Sequence, residues 1–357
     1  MSMLSLMHGM HGMHGMHGMH GMHGMQGGGS AANGSDLAGL QSSTQAIAHA
    51  AGLEPVVAAN VHDLLPDDPA NMKRWAPEIR ALLLQNCFIK QLGWSFDKAS
   101  LQGAVTWGGS VIWQAKRPSN QTLATQAGLV RNYVDQRADR SSEILSQLGS
   151  FAAYFGIILG LNGPRNAKTF ELLAAVQSLA GAATMMPKHL FACRRPDEVD
   201  TRILPLIQTP GHGAFPSAHA TQAFAMAEVL TALVRANPMH FPDTEGRIKL
   251  LYRQAHRIAV NRTAAGVHFP MDSWAGAILG VQIGRILVGM MTGAGSLRAS
   301  QVFDPNAAPD EDFFFTDFES RYLTAAAARP VAADPLFGWL WAECLSEYGG
   351  LRSGGEG

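Results

Sequence analysis

The chain has 357 residues, enough for a large core and at most two ordinary domains. Apolar residues make up 47% and charged residues 15%, which is the balance of a globular protein rather than a disordered one. A formal net charge of -1 at pH 7 excludes the general basic character of a nucleic-acid binder, but it leaves room for a local cationic site.

Residues 1–6 lack a basic start and a long apolar run, so no secretory signal is evident and a soluble, cytoplasmic chain is the expectation from the sequence alone. Residues 7–25 repeat Met-His-Gly, with histidines at His8, His11, His14, His17, His20 and His23. Glycine at every third position costs too much backbone entropy for a helix, and the tract has nothing to bury. A low-complexity tail over residues 1–35 is expected. Its imidazole and thioether groups suit weak copper binding, although composition alone favours a tract without a selected role.

The expected elements beyond the tail are almost all helical. Residues 68–91 read as a helix, with Asp68 as N-cap before Pro69. Residues 105–114 alternate and carry aromatics, so they read as a short strand or an irregular cover. Residues 121–146 and 150–161 are helical candidates. In 167–186, Leu172, Val176, Leu179, Ala183 and Met186 form an apolar stripe at spacings of four and three. The same pattern recurs in 217–236, in 244–265 and, more strongly apolar, in 270–291. Gln282 and Arg285 interrupt that last stretch, so no transmembrane span is expected. The reading is an all-α helical bundle over residues 36–300 with little or no strand, followed by an extension over 301–357 packed on it. The aromatics of residues 310–319 are expected to dock on the bundle. Cys87, Cys193 and Cys344 are odd in number and form no CxxC, which indicates neither a disulfide framework nor a zinc site.

Three segments carry polar groups where core or helix ends are expected. In the first, Pro187 opens a new helical turn, which places Lys188 and Arg195 two turns apart on one face before Pro196 stops the helix. Two stacked cations suit a polyanion; taken alone, they equally suit a solvated basic helix end. In the second, Ser217 caps a helix whose first N–H groups, from Ala218 onward, form an anion seat, and His219 sits in the first turn. In the third, Arg262 continues the buried stripe of Ile248, Leu251, Ala255 and Ile258 and therefore needs an anionic partner. His268 follows Gly266, and Asp272 is placed to hold its imidazole. An Arg262–Asp272 ion pair would explain the third segment without any chemistry. Together the three segments supply cations, a hydroxyl and helix N–H groups for a tetrahedral oxyanion, with two histidines as nucleophile or ligand and general acid.

These segments resemble the type 2 phosphatidic acid phosphatase (PAP2) / vanadium haloperoxidase superfamily, whose motif runs KxxxxxxRP, PSGH, SRxxxxxHxxxD. The matches are Lys188 with Arg195-Pro196, Pro216-Ser217-Ala218-His219, and Arg262, His268 and Asp272, within a motif core of about residues 165–290. The chain departs at Ala218, where the family has glycine, and at Asn261, where it has serine. The resemblance implies two chemistries on one site. In the phosphatases, the residue matching His268 attacks phosphorus, the one matching His219 protonates the leaving oxygen, and those matching Lys188, Arg195 and Arg262 hold the phosphoryl oxygens. No cofactor is then required. In the haloperoxidases, vanadate sits on the residue matching His268, and peroxide oxidises halide there. Short gaps between segments resemble the compact soluble acid phosphatases, whereas His212 stands where algal bromoperoxidases also carry a histidine and reads as a supporting residue. The expectation is a metal-independent acid phosphatase-like hydrolase acting on a soluble phosphate ester. The haloperoxidase is the alternative, and an inactive relative with a metal-binding tail is a third reading. Export to the periplasm or beyond is also implied by the soluble members.

Overall fold

The computed structural model describes residues 64–298, 300–323 and 328–349. The Met-His-Gly repeat, and with it the copper reading of its histidines, lies outside the described residues.

The chain enters through a 3-10 helix, Pro69–Arg74, capped by Asp68, whose carboxylate accepts from the Ala70 N–H at 2.9 Å. The helix expected over 68–91 breaks after it. Ala76 is extended because it precedes Pro77, and α1 (Pro77–Ile89) starts there. A meander follows: β1 (Leu92–Asp97), β2 (Gln102–Trp107) and β3 (Ser110–Lys116), antiparallel in sequence order, with β5 (Val302–Phe303) added parallel to β3. This four-stranded sheet corrects the expectation of little or no strand. Its alternation is interrupted by glycine in β1 and β2 and by the register shift between Val105 and Thr106, so only 105–114 stood out. The sheet is pinned to the bundle. The Trp113 indole donates to Ala275 O at 3.0 Å, and the Gln282 amide donates to Ile112 O at 3.1 Å.

The single helix expected over 121–146 is instead α2 (Asn120–Asn132), a 3-10 turn and α3 (Arg137–Ser146). Ser119 caps α2 by accepting from the Thr122 N–H. α4 (Ala152–Leu159) ends on Gly160 at φ 65°. α5 (Ala167–Phe191) runs straight through Pro187, because burial of Leu179, Ala180, Ala183 and Phe191 holds its last turns. A short helix, α6 (Pro196–Val199), is followed by α7 (Ala218–Ala236), α8 (Thr244–Ala264) and α9 (Pro270–Thr292).

The molecule is mostly helical, and α7 lies at its centre, packed by α5, α8 and α9. The closest approach is between α7 and α9. A Cβ on Gly276 would sit 2.4 Å from Ser217 O, and one on Gly280 would sit 2.4 Å from Thr221 O. Only glycine permits that distance, and it brings the start of α7 against the start of α9. The remaining elements are β4 (Gly295–Arg298), α10 (Phe315–Tyr322), β6 (Ala328–Val331), which pairs with β4, and α11 (Pro335–Gly349). Phe313 and Phe318 are buried against Phe224 and Trp274.

Two segments, Ala167–Val199 and Pro270–Thr292, are long and apolar enough to cross a membrane. Both are largely covered by other helices. The expectation of a soluble chain without a span is nevertheless not supported by them. In the second, Arg285 is accompanied by Glu228 (3.5 Å) and Gln282 by a backbone carbonyl, so neither residue stops the segment from being apolar on average.

Candidate functional site

Lys188 lies in the last turn of α5, which Ala192 ends at φ 47° with its N–H on Lys188 O. Arg195 is not on that helix. It is the extended residue before α6, whose Pro196 opens the helix rather than stopping one. The expected two-turn stacking of Lys188 and Arg195 is therefore wrong. The chain reverses at Ala192, and both cations reach the loop before α7 from different directions. Lys188 Nζ donates to Gly213 O and Ala214 O, each at 3.0 Å; Arg195 Nε donates to His212 O at 3.0 Å.

Ser217 caps α7, accepting from the Ala220 N–H at 3.4 Å, and its own N–H donates to Asp272 O at 2.9 Å. Ala218 is the first residue of α7 and is not among the positive-φ residues, so alanine is unstrained where the motif has glycine. His219 packs on Phe151 with ring centroids 5.8 Å apart, and its Nε2 lies 3.0 Å from Gln147 O.

Gly266, at φ 81°, turns the chain out of α8 toward His268. His268 Nδ1 lies 2.9 Å from Asp272 Oδ2, which also accepts from the Phe269 N–H at 2.9 Å. The carboxylate holds the proton on Nδ1 and leaves Nε2 with its lone pair, 3.0 Å from Arg195 Nη1. Arg195 Nη1 also donates to Val267 O, and Nη2 lies 3.1 Å from His212 Nδ1. His212 thus stands behind Arg195, half-buried, at the wall of a cleft of about 610 Å³ bounded also by Asp197, Glu198 and Thr209.

Arg262 does not pair with Asp272. Its Nη2 donates to Ile144 O at 3.1 Å and to Gln147 Oε1 at 3.0 Å, while Nε and Nη1 are buried with no partner among the described residues. Two residues of this environment had no local signal in the sequence. Gln147 and Arg140 come from α3 and its end, far from the motif in the chain; Asn261 links them. Arg140 donates to Asn261 Oδ1 at 2.9 Å, and Asn261 Nδ2 donates to Glu143 and Gln147. An amide at position 261 spans contacts that a serine would be too short to make.

Lys188, Arg195, Ser217, Arg262, His268 and Asp272 are all at most 3% exposed. Burial dominates their ionisation. It lowers Lys188 well below its usual value, with Arg195 adding to the effect, and pulls Arg195 and Arg262 down to about 10. His268 is pushed well below the usual histidine range by burial and then by Arg195 and Lys188, so its imidazole is neutral. His219 is lowered to about 3 by burial and then by Arg262. Burial raises the Asp272 carboxyl to about 7, against the Phe269 N–H and the two nearby cations. Lys188 and Arg195 therefore face a carboxylate that is already engaged by an imidazole. Cys193, nearby, is a buried thiol raised to about 12, an inert core group.

The PAP2 superfamily model matches residues 168–295. The decaprenylphosphoryl-5-phosphoribose phosphatase of Mycobacterium tuberculosis, in two strains, is 31% identical over 147 residues, covering 40% of this chain and 74% of the relative. The chain belongs to the PAP2 superfamily. The matched stretch holds every motif residue from Lys188 to Asp272. Among solved structures, a transmembrane PAP2-type phosphatidylglycerolphosphate phosphatase from Bacillus subtilis aligns with a TM-score of 0.39 and 19% identity, over 48% of this chain and 86% of that one. Membership of the PAP2 superfamily rests on the sequence matches, not on that distant likeness.

Proposed function

We propose that this PAP2 protein is a hydrolase that removes phosphate from a phosphate monoester through a phosphohistidine at His268. The observation that carries this reading is Arg262, a guanidinium buried with two nitrogens unpartnered among the described residues, beside two further buried cations and a neutral imidazole. A buried charge of that kind is costly unless an anion completes it. A phosphoryl group supplies three oxygens for Lys188, Arg195 and Arg262, with the Ser217 hydroxyl and the Ala218 N–H as further donors.

His268 Nε2 attacks phosphorus as the P–O bond to the leaving group breaks. His219 gives its proton to the leaving oxygen, and Asp272 stabilises the positive charge that develops on the His268 ring. Water then attacks the phosphohistidine, His219 takes its proton, and the P–N bond breaks to release phosphate. The charge work is assigned to the protein's own cations, with no metal ion in the scheme. The substrate is either a soluble ester or a lipid-linked one of the kind named for the mycobacterial relative. Rates on matched short-chain and polyprenyl esters separate the two classes.

His212 on Arg195 favours one second reading, in which the same cage holds vanadate on His268 for halide oxidation by peroxide. One preparation decides between them. Hydrolysis of p-nitrophenyl phosphate, inhibited by vanadate and lost in His268→Ala by about 10^4-fold or more, supports the phosphatase. Bromination by vanadate-loaded protein without ester hydrolysis supports the peroxidase. Full ester hydrolysis by His268→Ala would contradict the mechanism.

A further inference from the structure

Gln147 ends α3 as its C-cap and is fully buried. No motif contains it, yet it meets two motif residues at once. Its side-chain Oε1 accepts from Arg262 Nη2 at 3.0 Å and from Asn261 Nδ2 at 3.1 Å, and its main-chain oxygen faces His219 Nε2 at 3.0 Å. Its Nε2 is buried without a partner among the described residues, as are Arg262 Nε and Nη1. A buried amide donor left unsatisfied costs on the order of a lost hydrogen bond, so its place beside two equally unsatisfied guanidinium donors calls for a shared acceptor.

We propose that Gln147 is a positioning residue for oxyanion binding: its side chain aims Arg262, and its main chain anchors His219. The two roles separate by chemistry. Changing the side chain alters the guanidinium but not the carbonyl that holds the imidazole. After burial, Arg262 is what most depresses His219, so a guanidinium that Gln147 no longer holds changes both oxyanion affinity and the pH at which the general acid loses its proton. The bond to Gln147 O also occupies Nε2 of His219, which leaves Nδ1 as the nitrogen free to carry the transferred proton.

The inference rests on the phosphatase reading for its catalytic half only; its binding half needs just an oxyanion. The test measures inorganic phosphate binding by calorimetry in wild type, Gln147→Met and Gln147→Glu, alongside the pH profile of p-nitrophenyl phosphate hydrolysis. Gln147→Met keeps the volume and loses the acceptor; about tenfold or greater loss of phosphate affinity is expected, and the alkaline limb of the profile, which reports the general acid, is displaced because Arg262 has moved. Gln147→Glu keeps the acceptor but puts a carboxylate on Arg262, and a larger loss that eases as pH falls is expected. Circular dichroism melts show whether each variant is folded, and either folded variant suffices. Wild-type affinity in a folded variant, or an alkaline limb unmoved in Gln147→Met, would overturn the proposal. Phosphate binding without ester hydrolysis in wild type would sink the phosphatase reading yet leave the binding half standing. No phosphate binding in wild type would overturn both.

Discussion

Two buried arginines, one on α1 and one on α8, show what distinguishes a structural charge from a functional one. Arg80, on α1, is 4% exposed, and each of its guanidinium nitrogens is used. Nε and Nη2 meet the two oxygens of Glu171, and Nη1 meets Met72 O and Trp75 O. Arg262, on α8, is 1% exposed and, among the described residues, has no acid, one engaged nitrogen and two idle ones. The first cation is neutralised within the fold and ties α1 to α5. The second keeps two guanidinium nitrogens without a partner among the described residues, which is how a protein holds a charge for a partner from outside.

The comparison can be broken by substitution. In the largest expected effect, Arg262→Met lowers kcat/KM for p-nitrophenyl phosphate by about 10^3-fold, as loss of a transition-state clamp does. Its thermal midpoint stays level or rises, because an unpaired buried charge is replaced by an apolar chain. Arg80→Met gives the reverse: little change in KM, and a stability loss of about 3 kcal/mol or more in denaturant unfolding, because Glu171 loses its bidentate partner. If both variants lost stability alike, the distinction would fail.

A pH measurement sharpens the same contrast. Burial and Arg262 hold His219 down to about 3. An oxyanion among the cations offsets their repulsion and raises that value, so binding takes up a proton at pH values between the two. Phosphate affinity should therefore rise as pH falls through the raised value, and calorimetry in buffers of different ionisation enthalpy should report proton uptake. No such uptake is expected from the Arg80 side of the molecule.

The smallest effect concerns the motif departure. Ala218→Gly should leave phosphate affinity within about twofold, because the backbone there is ordinary helix and the N–H is present in both. It should lower stability by about 0.5–1 kcal/mol through glycine's entropy in α7. A large gain in activity would show that the extra methyl obstructs the oxyanion.

Much of this was legible in the sequence, and for a local reason. Ser217 with His219, and Arg262 with His268 and Asp272, are each set by spacing along or beside one helix, so periodicity places them. The hydrophobic stripes likewise located α5, α7, α8 and α9. What failed was whatever depended on distant chain. Arg195 was assigned to the helix of Lys188, because the packing that carries α5 through Pro187 and the reversal at Ala192 have no local signature. The sheet over 92–116 shows little of itself in the sequence, since glycine and a register shift between Val105 and Thr106 interrupt its alternation. Gln147 and Arg140 reach the site only through the packing of α3 on α8. The unpaired state of Arg262, the feature that matters most, is visible only when its neighbours are.

In this mechanism the buried cations hold a phosphoryl group that His268 receives covalently. Rapid quench of p-nitrophenyl phosphate turnover at alkaline pH, followed by peptide mass spectrometry, tests it most directly. The account predicts an acid-labile phosphate on the peptide carrying His268, absent in His268→Ala. Turnover with phosphate trapped on another residue, or with none trapped while a burst of nitrophenol precedes the steady state, would contradict it.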